Sequence, residues 1–334
     1  LYQTQYDKQR IKDKKSEYLT LDPVRTSIKD IKSFLKIIFS LNENDTVFSW
    51  LYIADLFASF LKILFFWKKF KIIWNVRNTV ISINEYSFIA FISFNILRIF
   101  LMHIPQRIIF NSKESMLQHI KKGYSRKKST LIYNGFTRYV SIKKIKDKKN
   151  NFNIIYVARY HPQKNHDLLF KSIAIFKQKY NFDFKLHLVG KGLNKNNLGL
   201  KKILKKLNIY QNVILYGLID PISVHDLFSK SDISLLLSTY GESFPNVIAE
   251  SMLYGTFPIA TNIGDSKSII DNFGEIVSKD SSAEEIANLI NKYYLLKNNE
   301  FEEWKMMEKE CQDFAKNRFD LENSVNKFKE IIYS

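Results

Sequence analysis

The chain has 334 residues, room for two domains of ordinary size, and its 46% hydrophobic and 25% charged content excludes a disordered or collagen-like polymer. Lys+Arg total 51 against 33 Asp+Glu, and the +18 excess is lopsided: residues 1–150 hold 28 basic and 11 acidic residues (+17), whereas residues 151–334 hold 23 and 22 (+1). That asymmetry points to an anionic partner for the N-terminal half, a nucleic acid or a negatively charged membrane surface, while the lone Cys311 excludes a disulfide framework and fits a reducing, cytoplasmic setting.

In chain order, the N-terminal half alternates short β-branched runs with helix-length segments. Strands are expected at 46–49, 71–77, 107–111 and 129–134, with a weaker one at 17–21. This alternation predicts a parallel α/β sheet. Residues 56–71, LFASFLKILFFWKKFK, read either as a core helix with a basic tail or as one lying on a lipid interface with Lys68, Lys69 and Lys71 near phosphates. Residues 86–104 are interrupted by Ser87, Ser93, Asn95, Arg98 and His103. They fall short of the ~20 apolar residues of a membrane span and read as a buried helix, with partial insertion into a membrane face as the alternative.

The charged run SIKKIKDKKNN, residues 141–151, has little to bury and serves as a linker. It separates an N-terminal domain over 1–140 from a C-terminal domain over 152–315, and residues 316–334 are expected to form a helix that packs back on the first domain. After the linker, strands are expected at 153–157, 184–189, 213–216, 233–237 and 257–260, with helices at 167–180, 198–207, 223–228, 245–254 and 283–296. Two Rossmann-like domains in tandem follow from that order.

All ten glycines lie between Gly123 and Gly274, so a phosphate-binding turn on the first strand has no glycine to build it. Gly190 and Gly192 follow a strand, but Lys195 stands where G-x-G-x-x-G needs its third glycine, and no P-loop motif occurs. Residues 237–261, LSTYGESFPNVIAESMLYGTFPIAT, run from a strand through a polar loop to a helix entered at Pro245. The free N–H groups of such a helix can hold phosphate at the carboxyl edge of a sheet, and carboxylates such as Glu242 and Glu250 suit vicinal sugar hydroxyls, whose paired hydrogen bonds they would accept. The alternative is that Glu242 complements the helix dipole and Glu250 is a surface residue. Arg159 and Lys164 flank the loop after the strand at 153–157, two cations suited to neutralising a diphosphate leaving group. No D-x-D pair, H-E-x-x-H or zinc spacing is present, so no metal site is expected.

These segments together resemble the retaining glycosyltransferases of family four. The likeness rests on ARYHPQKNHDLL, HLVGKG, the run 216–261 with its E-x7-E element Glu242 to Glu250, and NIGDSKSIIDNFG, and extends weakly to WNVRNT, RIIFNSKESMLQHI and STLIYNGF. The resemblance implies the GT-B fold, two Rossmann-like domains with parallel sheets facing across a cleft. It implies a metal-independent transfer, without any cofactor, from a nucleotide-diphosphate sugar donor, by a retaining and front-face route. Arg159, Lys164 and Glu242 would carry catalysis, the two cations on the diphosphate and Glu242 on sugar hydroxyls. Gly190 and the backbone of Ser243, Phe244, Pro245, Asn246 and Val247 would help hold the donor, Glu250 its ribose, and Tyr216 and Gly217 would line the base pocket. Arg77 and Asn78 would lie on the acceptor side.

The chain departs from the family pattern in having Ser243 rather than Gly after Glu242, Ile53 where many relatives have an acceptor-facing histidine, and no counterpart of the family's first strand and Gly-rich turn. With Leu1 at its start it reads as an N-terminally truncated fragment. The expected function is transfer of a sugar to a glycan or lipid-linked acceptor for surface polysaccharide, peripheral on the inner face of the cell membrane and without a specific nucleic-acid partner. Two alternatives are a nucleotide-sugar-binding protein without turnover and a basic nucleic-acid-binding protein.

Overall fold

A computed structural model describes residues 36, 38–43, 45–79, 88–137 and 151–333. The expected strand at 17–21 and all but the last residue of the 141–151 run lie outside them. The N-terminal sheet has the order β1-β2-β3-β4, built from β1 Thr46–Trp50, β2 Lys71–Val76, β3 Arg107–Phe110 and β4 Ser129–Leu131, all parallel. Its crossovers contain α1 Leu51–Leu64, α2 Phe88–Phe100 and α3 Lys113–Lys121. Side chains alternate along the strands. Ile72, Trp74, Val76, Ile108 and Phe110 pack against Tyr52, Ala58, Phe94 and Leu97 of the crossover helices, whereas Ile73 and Ile109 point to the opposite face.

That opposite face is closed from the far end of the chain. Phe328 and Ile331 of α11, Leu321–Tyr333, pack on Ile73, Ile109 and Ile132. A single helix over 316–334 is not what forms. The preceding helix α10, Phe301–Phe319, runs through position 316, and the break falls at Asp320, whose backbone is extended. There Phe136 intervenes, its N–H donating to the Phe319 carbonyl (2.8 Å) and its carbonyl accepting from Leu321 N–H (3.2 Å). The strand-like bridge takes the bonds that would have continued the helix.

The segment read as a buried helix is also corrected. α2 buries Ser93, Phe94 and Leu97, yet Phe88, Ile89, Ile92, Ile99 and Phe100 are exposed. One face of a short helix suffices to cover a strand pair, and no other described element lies over the outer face. Among the described residues no helix is long and apolar enough to cross a membrane.

The C-terminal sheet has the order β10-β9-β8-β5-β6-β7. Its strands are β5 Phe152–Val157, β6 Phe184–Val189, β7 Val213–Gly217, β8 Ile233–Leu236, β9 Phe257–Thr261 and β10 Glu275–Val277. The intervening helices are α4 His166–Tyr180, α5 Leu198–Lys206, α6 Pro221–Lys230, α7 Asn246–Met252, α8 Ser266–Ile270 and α9 Ala283–Asn299. β8 and β9 are buried along their whole length, as central strands covered on both faces must be. One charged pair sits inside this core. Lys297 of α9 reaches Asp232 at 3.0 Å with both side chains almost fully buried, and the same carboxylate oxygen accepts from Asn153 N–H at 2.7 Å. The bridge ties α9 to the entry of β8 and β5.

Removing one partner of a buried pair leaves a charge without compensation. Lys297→Met is therefore expected to lower stability by about 3–5 kcal/mol, measured by urea unfolding. The double variant Lys297→Met/Asp232→Leu should recover a large part of the loss.

Candidate active site

The strand order of the C-terminal sheet reverses at β5, which has β8 on one side and β6 on the other. The loops leaving β5 and β8 diverge there and open a crevice at the carboxyl ends of the strands. Both loops carry the charged residues singled out from sequence. Lys164 ends a short 3₁₀ turn, Pro162–Lys164, after β5; Glu242 lies after β8; and their side chains form an ion pair across the crevice, about 15% exposed. Ser238 Oγ donates to the same Glu242 oxygen at 2.8 Å. Gln163 secures the two loops, since its carbonyl accepts from Thr239 N–H (2.9 Å) and its amide donates to the Tyr240 carbonyl (2.8 Å). Arg159 is exposed beside them, its guanidinium donating to Gln163 Oε1 at 3.2 Å.

Side chains of the loop after Glu242 turn to the N-terminal domain. Ser243 Oγ donates to Asn111 Oδ1 of the N-terminal domain at 3.0 Å, and Phe244 packs its ring against Tyr133, Phe136 and Phe319. Asn246 accepts from Asn134 (2.7 Å), which in turn accepts from Arg77 (3.0 Å). Ser243, Phe244 and Asn246 thus hold the two domains together with their side chains. Pro245 is the N-cap of α7 rather than its first residue, because its backbone is extended; it and Val247 pack at the start of the helix. Arg77 is engaged in this interdomain relay, and the Asn78 carbonyl accepts from Ser115 Oγ.

Glu250, in the second turn of α7, is half-buried and hydrogen-bonds no other described group. Burial pushes its carboxyl up to about 7. Gly190 closes the sheet edge: at φ +141° a Cβ would lie 2.0 Å from the Ala158 carbonyl oxygen, and its N–H donates to the Gly217 carbonyl at 2.7 Å. The Tyr216 hydroxyl is not presented to a ligand. It pairs with His187 Nδ1 at 2.9 Å, and His187 Nε2 pairs with Asn153 at 3.1 Å; Tyr216 lies where the pairing of β6 with β7 shifts register.

Asp265, which sequence reasoning left without a role, joins the domains. Its carboxylate accepts from Lys113 N–H (2.6 Å), Glu114 N–H (2.9 Å) and Ser112 Oγ (2.9 Å), while Ser112 Oγ accepts from Ser115 N–H (3.0 Å). The first three N–H groups of α3 are thereby filled, two by a carboxylate from the other domain placed at the positive end of the helix. The residue before it must be small: a Cβ on Gly264 would lie 2.4–2.5 Å from the carbonyl oxygens of Ser243 and Glu242. Next to this junction a cleft of about 480 Å³ lies between Thr79, Glu114 and Gln118 on one side and Tyr240, Gly241 and the 262–264 loop on the other. In sequence, a Gly-Asp-Ser run before a helix signals a local cap; Asp265 instead caps a helix some 150 residues away. Among the described residues no three His, Cys, Asp or Glu side chains are grouped to hold a metal ion.

The profile of the family described as glycosyl transferases group 1 matches residues 139–317, more than half of the chain. An uncharacterized 41.2 kDa protein in the cps region of Klebsiella pneumoniae is 26% identical over 237 residues, 68% of this chain and 61% of that protein. A GDP-Man:Man(3)GlcNAc(2)-PP-Dol alpha-1,2-mannosyltransferase of Dictyostelium discoideum is 26% identical over 185 residues, 52% of this chain and 35% of that one. The chain therefore spans about three fifths and one third of the lengths of these relatives. Among solved structures, Anabaena Alr3699/HepE in complex with UDP has a TM-score of 0.74 at 20% identity, covering 90% of this chain and 81% of that one. A glycosyltransferase from Rickettsia africae ESF-5 has a TM-score of 0.72 at 20% identity, covering 98% and 85%. These likenesses show the fold, which is GT-B.

Two outcomes follow from this geometry. Asp265→Ala strands two helix N–H groups and should lower stability by about 1–3 kcal/mol in urea unfolding; in a double-mutant cycle with Ser112→Ala the losses should be less than additive. A carboxyl with a folded pKa of about 7 against an ordinary 4.5 holds its proton more tightly folded than unfolded, so stability falls as pH rises from 4.5 to 7. Glu250→Gln should accordingly stabilise by about 1 kcal/mol or more near pH 8 and by less near pH 5, read from thermal melting at the two pH values.

Proposed function

Since the chain belongs to the group 1 glycosyl transferases, we propose that it is a retaining, metal-independent glycosyltransferase that moves a sugar from a nucleotide-diphosphate donor to a glycan acceptor in surface polysaccharide synthesis. The observation that carries this reading is the Lys164–Glu242 pair spanning the reversal point of the C-terminal sheet. In the absence of donor each charge satisfies the other. A bound donor offers both a better partner: its diphosphate takes the Lys164 ammonium, and sugar hydroxyls donate to the Glu242 oxygens thus released. Arg159, exposed on the same loop, adds a second cation to the leaving diphosphate as its charge grows. These two cations do the work that a divalent metal does in other transferases. On the front face, the departing phosphate oxygen accepts the proton of the attacking acceptor hydroxyl.

Glu250 is suited to the ribose diol, since a half-buried carboxyl without a hydrogen-bond partner among the described residues gains two donors there. The cps-region relative supports a polysaccharide setting, and the relative whose name specifies a PP-Dol-borne glycan supports a lipid-linked acceptor. The +17 of residues 1–150 supports a peripheral position at the inner, anionic face of the cell membrane.

A screen of nucleotide sugars for thermal stabilisation and hydrolysis identifies the donor, and NMR of the product anomer tests retention; an inverted anomer defeats the retaining route. Lys164→Ala and Glu242→Ala are each expected to lower transfer at least about tenfold, roughly 1.4 kcal/mol of transition-state stabilisation, with rates unchanged by EDTA. Unchanged transfer in both variants would remove the two residues from the site.

A further inference from the structure

The N-terminal domain displays outward what most helices bury. On α1, Ile53, Phe60 and Leu64 recur at helical spacing and are 41–64% exposed; on the adjacent α2 the exposed large apolar side chains are Phe88, Ile89, Ile92, Ile99 and Phe100. The turn after α1 holds Phe66 and Trp67 out at 77% and 60% exposure. That turn is fastened rather than frayed: Lys62 Nζ donates to the carbonyls of Lys68 and Phe70, and Lys68 Nζ to those of Phe39 and Leu41. A contiguous apolar face of this kind marks an interaction surface.

Its charge identifies the partner. In a parallel sheet the helix ends and strand starts gather at one edge, here the edge opposite the cleft. The three turns at that edge, 62–71, 98–107 and 121–128, carry eleven Lys or Arg and no Asp or Glu. Lys69, Arg107, Lys121, Lys122, Arg126 and Lys127 are exposed, and none is paired with a carboxylate among the described residues. Among the described residues the acids at this edge are Glu43 and Asp45, ahead of β1.

Apolar side chains beside uncompensated cations are complementary to acyl chains beneath anionic headgroups; a nucleic acid would use the cations and leave the aliphatic stripe wet. Resting on the transferase reading only for the whereabouts of the acceptor, we propose that the outer face of α1 and α2, with the basic edge next to it, docks the protein on an anionic lipid bilayer. The 14 residues of α1 run from this edge to the cleft edge, about 21 Å at 1.5 Å per residue. Docking through α1 thus holds the cleft beside the lipid surface, within reach of an acceptor carried on a lipid.

The test is flotation of the purified chain with phosphatidylcholine vesicles, with and without about 30% phosphatidylglycerol, at low and high salt. Binding is expected only with phosphatidylglycerol and is weakened by salt. Phe66→Ser/Trp67→Ser and Lys121→Gln/Lys122→Gln should each lower partitioning at least about tenfold, with thermal melting unchanged because all four side chains are exposed. Vesicles should blue-shift the tryptophan emission, and Trp67→Phe should abolish the shift. Equal binding to neutral vesicles, binding of an oligonucleotide but no vesicle, or a dimer in light scattering that Phe66→Ser/Trp67→Ser dissociates would each overturn the proposal. Nucleotide-sugar stabilisation without vesicle binding defeats docking and spares the transferase reading; vesicle binding without any nucleotide-sugar stabilisation does the reverse.

Discussion

The first N–H groups of α3 point across a domain boundary at the Asp265 carboxylate, and the rest of the site is arranged around that contact. A helix start exposes unpaired donors and a partial positive charge, so a buried carboxylate there is satisfied without a cationic partner. Asp265 is followed at once by α8 but provides no cap to it; its oxygens all face the other domain. The same short loop presses Gly264 onto the carbonyls of Glu242 and Ser243. One end of the loop therefore registers the loop after β8, and the other registers α3, from which Glu114 and Gln118 line the cleft.

The polar and aromatic contacts around this junction repeat the theme. Phe244 fills the space between Tyr133, Phe136 and Phe319, and the relay from Arg77 through Asn134 to Asn246 crosses nearby. The side chains of Ser243, Phe244 and Asn246, between the two glutamates, are thus committed to domain packing. The two carboxylates differ. Glu242 is held by Lys164 and Ser238 in the open crevice, whereas Glu250 sits in a partly desolvated position that raises its pKa.

The two domains solve the burial problem differently. The C-terminal sheet is covered on both faces by its own helices and holds a buried ion pair at the entry of its central strands. The N-terminal sheet has one face closed by α11 from the end of the chain, and its crossover helices present a second apolar side outward. That outward side lies beside the edge whose turns, 62–71, 98–107 and 121–128, carry eleven Lys or Arg and no Asp or Glu.

Much of this was legible in the sequence alone. Period-2 runs such as Phe184–Val189 and the helical spacing of His166–Tyr180 placed most elements to within one to three residues, because strand and helix periodicity are local consequences of backbone geometry. Lys164 and Glu242 could be picked out for the same reason, since each lies on a loop directly after a strand. What only the tertiary structure decided depends on contacts between residues far apart in the chain. Nothing near Asp265 announces that its partners are residues 112–114; nothing near Tyr216 shows that His187 will take its hydroxyl; and the break at Asp320 exists because Phe136 arrives there. The apolar period of α2 likewise showed a helix but not which of its faces the sheet would cover. Local pattern determines what an element is, whereas the partner of a polar side chain or an apolar face is set by which other segment the fold brings against it.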